Sequence, residues 1–119
     1  MKKILIVEDD ADMRRLLKTV VNSLNVETEE AMDGETAIHN IEDGDDPDLV
    51  LLDLHLPHAS GEEVFEAIRK NSRSAIIVVT ADIFSAPEFT QKAEGVFTKP
   101  FKAKELLVKI SSLLGRGKE

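Results

Sequence analysis

Leu49, Val50, Leu51 and Leu52 form an unbroken apolar run that is too short for a typical helix. Such a run reads as a strand buried on both faces, and strands of that kind belong to parallel sheets covered by helices on either side. Residues 2–7 contain a second run, Ile4 to Val7, and residues 75–79 (AIIVV) a third. The first run ends on a carboxylate, Asp53. In open α/β sheets ligand chemistry gathers beyond the carboxyl ends of the strands, so an acid there stands where a functional group belongs. Pro57 and Gly61 then punctuate a loop.

The segments between these strands read as helices. Met13, Leu16, Leu17, Val20, Val21 and Leu24 recur at helical spacing and predict a first helix with one apolar stripe, capped by Asp10 or Asp12. Residues 26–31 read as a short polar strand near a sheet edge. Asp33 is an N-cap candidate for a second helix carrying Ala37, Ile38 and Ile41, which stops near Gly44 in the solvated acidic run EDGDDPD. Gly61 opens a third helix with Val64, Phe65 and Ile68 buried. Ser85, Ala86 and Pro87 start a fourth, with Pro in the first turn where its missing N–H costs nothing. That helix must be short, because Gly95 ends it before a strand at residues 96–98. Lys99-Pro100 is a candidate cis peptide in a tight strand-to-helix turn. The last helix carries Leu106, Leu107, Ile110, Leu113 and Leu114, and residues 115–119 trail off. Five strands alternating with five helices, joined by right-handed crossovers, predict a doubly wound α/β fold. Its five-stranded parallel sheet has the expected order 2-1-3-4-5.

The 119 residues fit one domain, residues 1–119, with no repeat or linker. The absence of cysteine excludes disulfides, thiolate chemistry and Cys-based zinc sites. A formal charge of −8 disfavours direct contact with nucleic acid or an anionic membrane. No apolar run approaches the roughly 20 residues of a membrane span, and the acids of MKKILIVEDD end its apolar stretch too early for a secretory signal. A cytoplasmic protein is expected.

The predicted sheet gathers the polar ends of four strands on one rim: Glu8 and Asp9, then Asp53, then Thr80, then Lys99. Three carboxylates packed together resist joint ionisation unless a cation is present. A hard divalent ion with oxygen ligands, of which Mg²⁺ is the common one, answers that need. Lys99 supplies a second positive charge and Thr80 a hydroxyl donor. Together these groups would accommodate a phosphoryl group on Asp53, whose ionised carboxylate would be the nucleophile and needs no general base.

The motifs ILIVEDD, DLVLLDLHLP with the later Gly61, VVTA, and TKPF with a following KEL resemble, in order and spacing, the receiver domains of two-component response regulators over the whole chain. The resemblance implies the flavodoxin-like, CheY-like three-layer sandwich. It also implies that Asp53 takes a phosphoryl group from a sensor histidine kinase or histidine phosphotransfer protein, and that a downstream effector protein reads the result. Glu8 and Asp9 match the acid pair of the family, Asp9 as a direct Mg²⁺ ligand and Glu8 through water. The backbone carbonyl of His55 matches a further ligand. Thr80 and Lys99 match the residues that contact the phosphoryl group, and Ala81 a small residue that leaves room for it. Beyond this phosphotransfer and slow self-dephosphorylation no enzymatic activity is expected. His55 and Asp82 occupy positions where the family tunes hydrolysis, and Met13, Arg14 and Leu17 lie where receivers meet their kinase.

Two features depart from the family. The switch aromatic three residues before the lysine is replaced by Val96, and the adjacent Phe97 points to the opposite face of its strand. The interval from Thr80 to Lys99 is short, which truncates the fourth helix and alters an output face built from the fourth helix, fifth strand and fifth helix. The segment AEGVF lacks the acidic pair of DNA-binding relatives, so a monomer or weak dimer is expected rather than their dimer. Other readings fit less well. A haloacid dehalogenase-like phosphatase wants an acid two residues after the nucleophile, where His55 stands. A flavodoxin-like nucleotide carrier wants a phosphate-cradling loop where Glu8, Asp9 and Asp10 would repel phosphate. A degenerate receiver that binds partners without phosphorylation is the remaining alternative. If these residues are the whole chain, output through protein contact is expected.

Overall fold

The computed structural model describes residues 1–115; the tail expected at residues 116–119 lies outside the described residues. The elements run β1 (Lys3–Val7), α1 (Ala11–Asn22), β2 (Glu27–Ala31), α2 (Gly34–Glu42), β3 (Leu49–Leu52), α3 (Gly61–Asn71), β4 (Ala75–Thr80), a 3₁₀ turn (Ala86–Phe89), β5 (Gly95–Thr98) and α4 (Ala103–Leu113). The strands form one parallel sheet in the order β2-β1-β3-β4-β5.

Alternation along the central strands divides the core in two. Leu5, Val7, Val50, Leu52, Ile76 and Val78 pack on α2 and α3 through Ala37, Ile41, Val64, Phe65 and Ile68. Ile4, Ile6, Leu49, Leu51, Ile77 and Val79 face α1 and α4 through Leu17, Val21, Leu106 and Ile110. The polar β2 occupies an edge, as its composition predicts. Asp10, Asp33 and Ser60 cap α1, α2 and α3 by accepting from the amides of Met13, Thr36 and Glu63. Caps of this type contribute about 1 kcal/mol each. Glu63 also accepts from the amide of Ser60, completing a capping box. The Lys99-Pro100 peptide is cis.

Two sequence expectations need correction. Leu16, placed on the buried stripe of the first helix, is 44% exposed. It lies about 100° around the helix from Leu17, which takes the core position. The expected five helices are four among the described residues, because the fourth is only a single 3₁₀ turn. A 3₁₀ helix rises about 2.0 Å per residue against about 1.5 Å for an α-helix, so a short interval can still return the chain to the start of β5. Ala86 and Phe89 are the buried residues of this turn. Phe89 meets Phe65 edge-to-face at 5.1 Å between ring centroids. Arg69 of α3 then holds the downstream stretch, donating to the carbonyl of Lys92 at 2.7 Å and to Glu94 at 2.9 Å. Glu94 accepts in turn from the amide of Ile76 at 2.7 Å.

Candidate functional site

Backbone pairing continues one residue past the ends of β1, β3 and β5. The amide of Glu8 donates to Ala31, that of Asp53 to Val7 and that of Lys99 to Thr80, at 2.8–3.1 Å. Parallel register therefore carries these residues to one rim. Side-chain oxygens of Glu8, Asp9 and Asp53 lie within 4.8 Å of one another. Glu8, Asp53 and Thr80 are buried and Asp9 is exposed. The Lys99 ammonium spans the cluster, 2.8 Å from Glu8 and 3.3 Å from Asp53.

Electrostatics match this geometry. Burial pushes the Glu8 carboxyl up to about 7 against the opposing hydrogen bond from Lys99, and the nearby charge of Asp53 adds to the rise. Burial works against the charge of Lys99, but Glu8 and Asp53 outweigh it and hold the ammonium above the ordinary lysine value. Three oxygen donors with a surplus of negative charge suit a hard divalent cation, and Mg²⁺ fits that donor set.

The structure brings Glu8, Asp9, Asp53 and Lys99 together, and Thr80 lies buried at the end of β4 on the same side of the sheet. The side chain of His55, 74% exposed, turns away from the cluster to meet Asp82 at 2.8 Å, while its amide donates to Asp53 at 3.3 Å. Hydrogen bonds from the Ser85 hydroxyl and amide, with further ones from His55 and Phe84, bring the Asp82 carboxyl down to about 2. The amide of Asp82 donates to the Thr80 hydroxyl oxygen at 3.1 Å, joining this loop to the rim. Beside the His55–Asp82 pair opens a cleft of about 290 Å³ floored by Leu54, Leu56 and Phe89.

Val96 packs on the α2–α3 side of the sheet and Phe97 on the α1–α4 side, so strand parity keeps Phe97 from standing in for its neighbour. Val96 and Thr98 line an open groove of about 310 Å³ with Ile83, Ala86, Pro87 and Thr90. On the adjoining loop Ile83 and Phe84 are 59% and 90% exposed.

Sequence reasoning missed Arg14 and Gly34 as supports of the site, and placed Gly61 only as the start of the third helix. Arg14, expected at a partner surface, is turned inward, with only 15% of its side chain exposed. It donates to the backbone carbonyls of Glu8 at 3.1 Å and Asp9 at 3.2 Å. Gly34 and Gly61 allow the β3–α3 loop to close. A Cβ at Gly34 would lie 2.6 Å from the carbonyl oxygen of Ala59, and one at Gly61 would lie 2.4 Å from the Cα of Leu54. No described helix is long and apolar enough to cross a membrane.

Residues 4–111 match the family model of the response regulator receiver domain. The ycf27 protein of Cyanophora paradoxa is 39% identical over 97% of this chain and 49% of its own length. The chain spans about half the length of the curated relatives it matches. Among solved structures, the response regulator TrrA of Thermotoga maritima, in complex with Mg²⁺-BeF, is 35% identical with a TM-score of 0.84, covering 95% of this chain and 99% of that one. The receiver domain of the sensor histidine kinase PA1611 from Pseudomonas aeruginosa, with a magnesium ion in its active-site cleft, is 28% identical with a TM-score of 0.84, covering 96% and 98%.

Proposed function

This chain belongs to the response regulator receiver domain family, and on that footing we propose that Asp53 is a phospho-acceptor in a two-component or phosphorelay system. The observation that carries this reading is the convergence of Glu8, Asp9 and Asp53 within 4.8 Å beneath the Lys99 ammonium. The donor is a phosphohistidine on a sensor kinase or histidine phosphotransfer protein. A carboxylate oxygen of Asp53 attacks phosphorus, the N–P bond breaks, and the imidazole leaves with the electron pair. The product is an acyl phosphate.

Glu8, Asp9, Asp53 and the backbone of His55 would hold Mg²⁺, as the magnesium complexes of TrrA and PA1611 support. The bound ion would neutralise charge on the phosphoryl oxygens. Lys99 offers its ammonium to the same oxygens and Thr80 its hydroxyl. No other catalysis is assigned to the chain. It acts in the cytoplasm as a monomer or weak dimer, and an effector protein reads the face formed by the 3₁₀ turn, β5 and α4. The complete rim gives no support to a phosphorylation-independent binding module.

Intact mass after incubation with a small-molecule phosphodonor tests the reading. A gain of one phosphoryl group in Mg²⁺, absent in chelator, is expected; no adduct in either condition would overturn it.

Two further results are expected. The proton on Glu8 competes with the cation, and its carboxyl sits at about 7. The ionised fraction rises with pH, so Mg²⁺ affinity measured by calorimetry should be about tenfold higher at pH 8 than at pH 6. Glu8→Gln should flatten that profile, and an unchanged slope would remove Glu8 from the metal site. His55 and Asp82 follow Asp53 and Thr80 by two residues each, pair at 2.8 Å, and as proposed here limit how fast water reaches the phosphoryl group. A hydrogen bond to a charged group is worth about 1.5 kcal/mol, so His55→Ala should shorten the acyl-phosphate lifetime about tenfold. An unchanged lifetime would show that the pair does not guard the site.

A further inference from the structure

Asp9 is exposed, yet as the proposed direct ligand its carboxylate must hold one direction. The two peptide planes that flank Asp9 carry the carbonyls of Glu8 and of Asp9 itself. A single Arg14 nitrogen, Nη1, donates to both, at 3.1 and 3.2 Å. Holding both planes fixes the backbone torsions at Asp9 and so the direction in which its Cα–Cβ bond leaves the chain. The second plane also contains the amide of Asp10, which donates to Glu8 Oε2 at 3.2 Å. The same grip therefore orients the second acid.

Arg14 is itself held. Its Nε donates to Glu30 of the edge strand at 3.2 Å, and Lys18 approaches the other oxygen of that carboxylate at 3.4 Å. Glu30 also balances the guanidinium charge, which would otherwise oppose a cation bound by the neighbouring acids. We infer that Arg14, braced by Glu30, is a positioning residue that pre-aims Glu8 and Asp9 for the divalent cation; this rests on the metal-binding reading above. The fork of a guanidinium is needed, because a lysine ammonium keeps the charge but lacks the second nitrogen that reaches Glu30 while the first spans both carbonyls.

The test uses the whole chain with Arg14→Lys, Arg14→Met, Glu30→Gln and the Arg14→Met/Glu30→Gln double variant. Calorimetric titration with Mg²⁺ at pH 8 should show affinity reduced about tenfold in both Arg14 variants, the scale seen when groups orienting metal ligands are removed. Glu30→Gln should lose about threefold, and the double variant should be no worse than Arg14→Met alone, as expected of two groups acting through one contact. In metal-free protein, amide hydrogen exchange at Asp9 and Asp10 should quicken about tenfold in Arg14→Met while that of Leu5 is unchanged. Mg²⁺ affinity within twofold of wild type in Arg14→Met, or full rescue by Arg14→Lys, would overturn the inference. So would unchanged exchange at Asp9 and Asp10, even if the melting temperature falls. Wild type that binds no Mg²⁺ would instead overturn the metal-binding reading, and the exchange measurement still decides whether Arg14 grips the loop.

Discussion

Asp53→Asn is expected to take up no phosphoryl group under any condition in which the wild type gains one. The substitution keeps the shape of the side chain and the backbone bond from its amide to Val7. It also keeps an oxygen to accept from the amide of His55. What disappears is the anionic nucleophile, since an amide oxygen forms no stable acyl phosphate. The rate loss should be at least on the order of a thousandfold, the scale on which removal of a nucleophile acts, and intact mass reads it directly. The same change removes a charge that raises the Glu8 carboxyl. Glu8 should then titrate closer to the usual carboxylate range, and the metal-free protein should lose no stability. A phosphoryl adduct on Asp53→Asn would move the nucleophile to another residue, with Glu8 and Asp9 the first to examine.

Gly61→Ala should be among the most damaging single substitutions in the chain, although it adds one methyl group. The new carbon would lie 2.4 Å from the Cα of Leu54 and 2.9 Å from the carbonyl oxygens of Asp53 and Leu54, all backbone atoms. These atoms cannot rotate away, so the end of β3 or the start of α3 must move. Overpacking of a well-packed interior costs about 1–3 kcal/mol, and simultaneous close contact with three backbone atoms places this change at the upper end. Chemical denaturation should show that loss. Because the displaced atoms include the residue that carries the nucleophile, phosphorylation should also slow about a hundredfold, as expected for a shift of about 1 Å in reacting groups. Gly95→Ala is the control. Its nearest neighbour is the Cε of Lys109 at 3.3 Å, a flexible side chain, and the change should stay within about 0.5 kcal/mol. Equal stability of Gly61→Ala and Gly95→Ala would show that the loop yields more easily than its contacts indicate.

The sheet and the rim are legible in the sequence for one reason. Strands β1, β3 and β4 are apolar on both faces, the edge strand β5 carries a short apolar pair, and each gives way to a polar residue, so the boundary of the strand and the identity of the functional group are the same signal. Glu8, Asp53, Thr80 and Lys99 could be placed that way. The polar strand β2 and the caps Asp10 and Asp33 follow from local chemistry as well. Arg14 could not be placed, because its partners at the rim are backbone carbonyls, which every sequence has. Its position on an amphipathic helix gives the same pattern whether it reaches solvent or folds back over the preceding loop. Leu16 beside Leu17 shows a similar limit: both satisfy the apolar count, and only packing decides which enters the core. The close approaches of Gly34 to Ala59 and of Gly61 to Leu54 depend on distances across the fold, and punctuation by glycine names the position without naming the neighbour.

The stretch between β4 and β5 is anchored unequally at its two ends, and this shapes what the rim can transmit. Downstream, Phe89 sits in the core against Phe65, and Arg69 grips Lys92 and Glu94. Upstream, the Thr80 hydroxyl takes the amide of Asp82, whose carboxylate gathers the amides of Phe84 and Ser85. The downstream half is thus held by core packing and a guanidinium, and the upstream half by hydrogen bonds that start from the buried Thr80 at the end of β4. What the rim touches in this stretch is therefore a short hydrogen-bonded loop that carries two exposed apolar side chains, Ile83 and Phe84.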